Sequence, residues 1–314
     1  MITKPIPYGR QHITDEDIQC VIDALKSDYL TQGPKIKEFE EAFASYVGCK
    51  YAIAVNNATA ALHLAATALD VNPGDKVIVT PLTFAASANC IRYRGGEVVF
   101  CDVEEDTYLM DIKKLSRLLS QSPKGTYKGI VLVDFAGYPA NLEAFRQLAD
   151  EYGLWIIEDA CHAPGGYFID SKGEKQLCGN GNFADVSVFS FHPVKHIATG
   201  EGGMATTNCK ELYEKLCLYR THGITKNPAL LHENHGGWYY EMQELGYNYR
   251  ITDFQAALGI SQLKRADMGL ARRQEIARRY REGLSDLKGV KLPFVSDQVF
   301  HAYHLFIIQV EDRL

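Results

Sequence analysis

No two of the chain's eight cysteines stand in a CxxC spacing, which removes zinc ribbons and thioredoxin-type redox centres from consideration. They lie at positions 20, 49, 90, 101, 161, 178, 209 and 217, several inside apolar runs, and read as reduced, mostly buried packing residues. No segment is apolar for long enough to span a bilayer, and MITKPIPYGRQHITDED lacks the apolar core of a signal peptide. The expectation is a cytoplasmic protein with no membrane partner. Long basic runs are missing as well, and with a net charge of -6 and a pI near 5.9 the chain has no electrostatic footprint for nucleic acid. His232 and His235 stand in HENHG, which has neither the HExxH spacing nor a helical period, so no metal site is expected. Repeats and low-complexity tracts are absent. The composition leaves small-molecule chemistry.

What is present is a large apolar share, 46% of the residues, in alternating strand-like and helix-like stretches. A length of 314 residues exceeds one ordinary core. The expectation is an N-terminal arm and large domain over 1–250, then connecting helices and the start of a smaller C-terminal α+β domain over 251–314. Thr14 and Asp17 form a start signal for a helix to Leu25 that places Ile18, Val21, Ile22 and Leu25 on one face. A second helix is predicted from about Lys35 to Tyr46. Beyond it YAIAVN, KVIVTP, EVVFCDV, IVLVDFAG, LWIIEDA, DVSVFSFH and GGMATTN read as strands with helical stretches between most of them, the signature of a parallel sheet covered by helices. After about residue 210 helices take over. Thr252 and Gln255 form a capping box with Ile251 as a staple, and a long charged helix from Ala266 reads as a solvated connector. The final VKLPFVSDQVFHAYHLFIIQVEDRL has two or more strand-like runs and no following helix, the pattern of an incomplete second domain.

The chemistry gathers at strand ends, where open parallel sheets bind their ligands. YAIAVN leads to Asn57, Ala58 and Thr59 at a helix start, either an anion site built from free N–H groups or an ordinary Asn N-cap. KVIVTP leads to Thr83 and Phe84, an aromatic that covers a flat ligand or simply packs in a core. LWIIEDACHA ends its strand on Asp159, with His162 three residues on; a carboxylate there needs a cation or a donor. Pro193 ends the strand DVSVFSFH. Lys195 follows, in a loop through Gly200, Gly202 and Gly203, with Ser190 placed to bond an anion. A loop lysine is ordinarily solvated, whereas one turned into a site is partly desolvated and nucleophilic. An anion site, a ring cover, a buried acid and a reactive lysine, in order along one βα series, are together what pyridoxal phosphate requires.

Six motifs, NATAALHL, TPLTFAASAN, EDACHAPGG, SFHPVKHIATGEGGM, YRTHGI and GYNYRITDFQAALGISQL, resemble in the same order those of the DegT/DnrJ/EryC1/StrS family of sugar aminotransferases. The resemblance covers the chain to about residue 314. It implies the type I aminotransferase fold: a large, mostly parallel α/β sheet domain with helices on both faces, and a small domain. It also implies pyridoxal 5'-phosphate as cofactor and L-glutamate as amino donor. PYGRQ, LTQGP and SFHPVK are similar to members that aminate C4 of a UDP-linked 4-keto-6-deoxy-N-acetylhexosamine in pseudaminic acid biosynthesis. The resemblance further implies Lys195 as Schiff-base lysine, Asp159 as partner of the pyridine nitrogen, Phe84 as ring cover and His162 near the ring hydroxyl. Ala58, Thr59 and Ser190 would surround the phosphate, and Asn248 would reach it from the other subunit of a homodimer. Tyr8 and the segment Asp28, Tyr29, Leu30 and Thr31 would touch the nucleotide sugar, with Arg250 a candidate for the glutamate carboxylate or an ordinary ion pair. Family members continue past this chain's end with more of the small domain. Keto-sugar 3-dehydratases of the same fold carry His in place of the lysine; Lys195 argues against them, although His196 stands beside it. A non-catalytic regulatory protein on the same scaffold is the reading from another class.

Overall fold

The computed structural model describes residues 7, 9–233 and 235–311. Thr14 caps helix α1 (Asp15–Leu25) through a complete capping box with Asp17, and α2 (Pro34–Val47) starts on a proline and ends on left-handed Gly48. Then follow β1 (Tyr51–Val55), α3 (Ala58–Ala68), β2 (Lys76–Val79), α4 (Ala85–Tyr93), β3 (Glu97–Phe100), α5 (Ile112–Ser120), β4 (Tyr127–Val133) and α6 (Leu142–Tyr152). β5 (Trp155–Asp159), the short hairpin β6 (Tyr167–Ile169) and β7 (Lys175–Leu177), β8 (Val186–Ser190) and β9 (Gly203–Thr207) precede α7 (Lys210–Arg220), α8 (Asp253–Leu263) and α9 (Ala266–Leu284). Among the described residues no helix is long and apolar enough to cross a membrane.

The seven-stranded sheet has the order β1-β9-β8-β5-β4-β2-β3. β3, β2, β4, β5 and β8 pair in parallel, while β9 runs antiparallel to both β8 and β1. The sheet is therefore mixed at one edge rather than wholly parallel, because GGMATTN returns directly from β8 without a crossover helix. β1, β2, β4, β5 and β8 all end at the same side, and β9 begins there. Both faces are covered: Val186 and Val188 of β8 pack under α3, whereas Phe189 packs on Phe43 of α2 with ring centroids 4.9 Å apart. Strands buried on both faces explain the near-continuous apolar runs in the sequence.

α1 differs from its apolar reading. Its buried residues are Asp17 and Ala24, while Ile18 and Leu25 remain half exposed. The helix is held instead by Asp17, whose carboxylate accepts from Arg265 Nη2 at 2.5 Å and from Gln262 Nε2 at 2.8 Å of the α8–α9 corner. A buried charge-assisted pair outweighs the apolar stripe in setting how the helix lies. All eight cysteines are free, but only Cys90, Cys101 and Cys178 are fully buried and Cys209 is exposed. The C-terminal runs form only two-residue strands at Val290–Lys291, Val299–Phe300 and Gln309–Val310. Between the last two, Ala302 and Leu305 donate to the carbonyls of Gly137 and Ala136, at 2.7 and 3.1 Å, which lays this segment against the turn that follows β4.

Candidate active site

A cleft of about 640 Å³ opens at the shared strand ends and is lined by residues from five of them, among them Asn57, Ala58, Thr59, Phe84, Asp159, His162, Ser190 and Lys195. The strand order brings them together although they span well over a hundred positions of chain.

Asn57 caps α3 by accepting from Ala60 N at 2.8 Å. The side chain satisfies one orphan donor, as an N-cap does, while the N–H groups of Ala58 and Thr59 make no hydrogen bond among the described residues. They point a helix N-terminus at the cleft. Gly203 of β9 crosses directly behind them; a Cβ there would meet Asn57 C at 2.5 Å and Ala58 N at 2.6 Å. That close approach, rather than a turn, is the reason for its glycine.

Asp159 is 5% exposed at the end of β5. Ser87 of α4 donates to its Oδ2 at 2.6 Å, and Cys161 N donates to Oδ1 at 3.2 Å. Ser87 in turn lies 2.8 Å from Thr83 Oγ1. Ser87 is a positioning group that the sequence reading missed; its signal was one hydroxyl on the buried face of α4, among Ala86, Cys90 and Ile91. Phe84 is 77% exposed, so it is no core residue; it stands at the cleft rim just ahead of α4.

Lys195 is partly buried, and desolvation pushes its amine below the usual lysine range, against the opposing pull of Cys161 and Asp159. The lysine lines the cleft rather than standing fully in solvent. His162 accepts from Ala136 N at Nδ1, 3.2 Å, and burial, followed by the charge of Lys195, lowers its pKa to about 4. His304, from the C-terminal segment, packs against it at a tilt, with ring centroids 4.3 Å apart. Ser190 lies on the cleft wall, its Oγ accepting from His192 N at 3.4 Å.

Other expected contacts fall elsewhere. Tyr8 lies outside the described residues. Asp28 to Thr31 are exposed and sit at the start of α8, where Leu30 O accepts from Asp253 N at 2.9 Å. Arg250 lines a separate groove of about 320 Å³ with Gln32, Gly33 and Arg220. Asn248 does not line the cleft of its own chain. Tyr247 and Tyr249 stack at 5.1 Å and pack on His63 of α3, with Tyr249 OH 3.0 Å from His63 Nδ1. In an extended segment this alternation turns Asn248 outward, and it is exposed. His232 and His235 hold no cluster of ligating groups among the described residues; His235 pairs with Glu233 at 2.7 Å.

Burial also depresses His301, to about 3, and pushes His196 and His304 down. A histidine whose folded pKa lies below its unfolded value of about 6.5 binds more protons when unfolded, so the stability it contributes is present above about pH 6.5 and lost as pH falls towards 4 and below. Melting temperatures are expected to fall steeply over that window, and His301→Gln, which lies behind the cleft, should flatten part of the slope. An unaltered slope in that variant would show the ring to be uninvolved.

A mixed α/β sheet with a half-buried lysine facing an acid on the neighbouring strand and a helix N-terminus across the cleft is the frame of a type I aminotransferase, an enzyme class. The chain belongs to the DegT/DnrJ/EryC1/StrS aminotransferase family, whose model matches residues 11–314, and it is a sugar aminotransferase. It is 40% identical over 308 residues to the Bacillus subtilis spore coat polysaccharide biosynthesis protein SpsC, covering 98% of this chain and 76% of that protein. It is 43% identical over 276 residues to the Campylobacter jejuni UDP-4-amino-4,6-dideoxy-N-acetyl-beta-L-altrosamine transaminase, covering 88% of this chain and 68% of the other. Among solved structures, Helicobacter pylori PseC, named as an aminotransferase involved in the biosynthesis of pseudoaminic acid, superposes with a TM-score of 0.86 at 32% identity, over 98% of this chain and 78% of that one. The PLP-form of the putative sugar aminotransferase Spr1654 from Streptococcus pneumoniae does so with a TM-score of 0.86 at 31% identity, over 98% and 79%.

Proposed function

We propose that this aminotransferase moves the amino group of L-glutamate to C4 of a UDP-linked 4-keto-6-deoxy-N-acetylhexosamine, a step of pseudaminic acid biosynthesis. Support for the acceptor comes from the name of the C. jejuni relative and from that of PseC. The observation that carries the chemistry is the half-buried Lys195 amine in one cleft with the hydrogen-bonded Asp159 carboxyl and the free N–H groups of α3.

Pyridoxal 5'-phosphate is the cofactor, and when bound it supplies an electron sink and a carrier for the amino group. The residues fit it: donors without partners wait at the α3 N-terminus for a phosphate, and an acid fixed by two donors waits at the opposite wall for a ring nitrogen. Ala58, Thr59 and Ser190 would hold the phosphate, Asp159 would keep the ring nitrogen protonated, Phe84 would cover the ring and His162 would lie near its hydroxyl. Lys195 would hold the cofactor through its aldehyde, and its Nζ would take the proton from Cα of glutamate. In the second half-reaction the same amine delivers a proton to C4 of the sugar. Tyr8 and Asp28 to Thr31 contact the nucleotide sugar, and Arg250 the glutamate carboxylate. Eight free cysteines suit a reducing compartment, the cytoplasm.

The enzyme is a homodimer whose sites each take Asn248 from the partner, a reading supported by the outward turn of that residue. Mixing Lys195→Ala with Asn248→Asp subunits under exchange is then expected to restore activity, because one site of each heterodimer carries neither lesion; recovery rises towards about half of wild type per heterodimer under two-fold symmetry. Exchange without recovery refutes the shared site. The acceptor is tested by supplying glutamate with a panel of UDP- and dTDP-linked 4-keto-6-deoxy sugars. Turnover is expected with the UDP N-acetylhexosamine, and a preference for a dTDP sugar lacking the N-acetyl group overturns the proposed substrate.

A further inference from the structure

Two carboxyl groups that this chemistry does not use are buried against each other behind the cleft. Along β5, Ile157 and Asp159 face α3 and α4, so Glu158 faces the other side. There it meets Asp134, the first residue after β4, and Cys178; the ligating atoms of all three lie within 4.8 Å of one another. Asp134 is 0% exposed and Glu158 1%. Each has one oxygen satisfied by backbone: Ala140 N donates to Asp134 Oδ1 at 2.8 Å, and Gly179 N to Glu158 Oε2 at 3.0 Å. The remaining two oxygens, Asp134 Oδ2 and Glu158 Oε1, have no donor among the described residues.

Two carboxylates so placed, out of water, cannot both be ionised. A proton between the two free oxygens satisfies both at once. Burial is the largest influence raising both acids; the charge of Glu158 raises Asp134 further, while the nearby Ser187 hydroxyl and Asp134 carboxyl oppose the rise at Glu158. One of the two acids is therefore protonated. The other titratable groups around the pair do not supply a countercharge: Cys178 and Cys161 are themselves pushed up by burial and by neighbouring carboxyls, and Asp159 carries the same sign.

We propose that Asp134 and Glu158 share one proton and, as an acid and carboxylate pair, position Asp159 and His162 from behind the cleft. Two connections carry the effect forward. Asp134 N donates to the carbonyl of Asp159 at 3.1 Å. Asp134 Oδ1, by accepting from Ala140, closes the turn Phe135–Gly137, in which Ala136 is held at φ 61° and donates to His162 Nδ1. Loss of the shared proton sets like charges between the ends of β4 and β5, the strands from which both groups hang.

The sharing depends only on the core; the positioning half rests on the cofactor reading above, and the experiment separates the two. Infrared difference spectra in H2O and D2O, taken on cofactor-free wild-type protein at about pH 8, well above ordinary carboxyl values, are expected to show a protonated-carboxyl band that Asp134→Asn lacks. The asparagine amide donates to Glu158 while its oxygen still accepts from Ala140. That variant is therefore expected to keep the melting temperature of wild type, and also the absorption spectrum of bound cofactor and its pH midpoint. Asp134→Ala should shift that midpoint. Where the alanine variant does not fold, Glu158→Gln removes the reason for Asp134 to hold a proton, and the band is expected to vanish. A wild type without the band, or with one equivalent of tightly held divalent metal at these three groups, overturns the sharing. A cofactor spectrum and midpoint identical in wild type, Asp134→Asn and Asp134→Ala overturns the positioning role.

Discussion

Lys195→Ala is expected to cut turnover by at least about a thousand-fold, the scale for removing a group that acts both as nucleophile and as proton carrier, while the protein still binds its cofactor. Burial holds the Lys195 amine below the ordinary lysine range, which enlarges the unprotonated, nucleophilic share near neutral pH. Its two neighbours in the cleft, His162 and Cys161, do not replace it. His162 is a poor base with its pKa lowered to about 4, and burial pushes the Cys161 thiol far up, where it stays protonated. Cofactor binding survives because the N–H groups of Ala58 and Thr59 belong to the backbone of α3 and do not depend on the lysine. Single-turnover assays with glutamate alone isolate the first half-reaction; a rate within tenfold of wild type would remove Lys195 from the chemistry.

Asp159→Asn is expected to cost about a hundred-fold or more in kcat, with little change in cofactor affinity. The carboxyl is nearly buried and is fixed from two sides, by Ser87 and by Cys161 N; an amide of the same shape fits once the Ser87 hydroxyl turns to accept from its NH2 and donates to Thr83 Oγ1 instead. What it lacks is the negative charge that favours a protonated ring nitrogen, an interaction strong in a site shielded from water. Ser87→Ala separates orientation from charge: a partial loss in kcat is expected, since Asp159 keeps its charge and one of its donors. Near-normal turnover of Asp159→Asn would make the carboxylate structural only.

The strand ends were legible because buried strands, a proline stop and helix caps are local patterns. YAIAVN, LWIIEDA and DVSVFSFH became β1, β5 and β8, and the boxes at Thr14 and Thr252 formed as read. Lys195, Asp159, Phe84 and the start of α3 then met in one cleft because open sheets gather strand ends. The direction of β9 was not legible: whether a strand returns beside its predecessor depends on the loop between them, and the strand pattern is the same either way. The inward side of α1 was misread for a similar reason. Periodicity shows which residues share a face but not that Arg265, from the far end of the chain, would draw Asp17 inward. Ser87 and the pair of Asp134 and Glu158 carry no motif at all; their partners are set by strand order, which brings positions 134 and 158 together across β4 and β5.

The most direct measurement is to load the purified protein with pyridoxal 5'-phosphate, reduce it with borohydride and map the modified peptide by mass spectrometry. The label is expected on the peptide that contains Lys195, and to be absent from Lys195→Ala. A label carried mainly by any other lysine, or one undiminished in that variant, would contradict the assignment of this cleft as the catalytic centre.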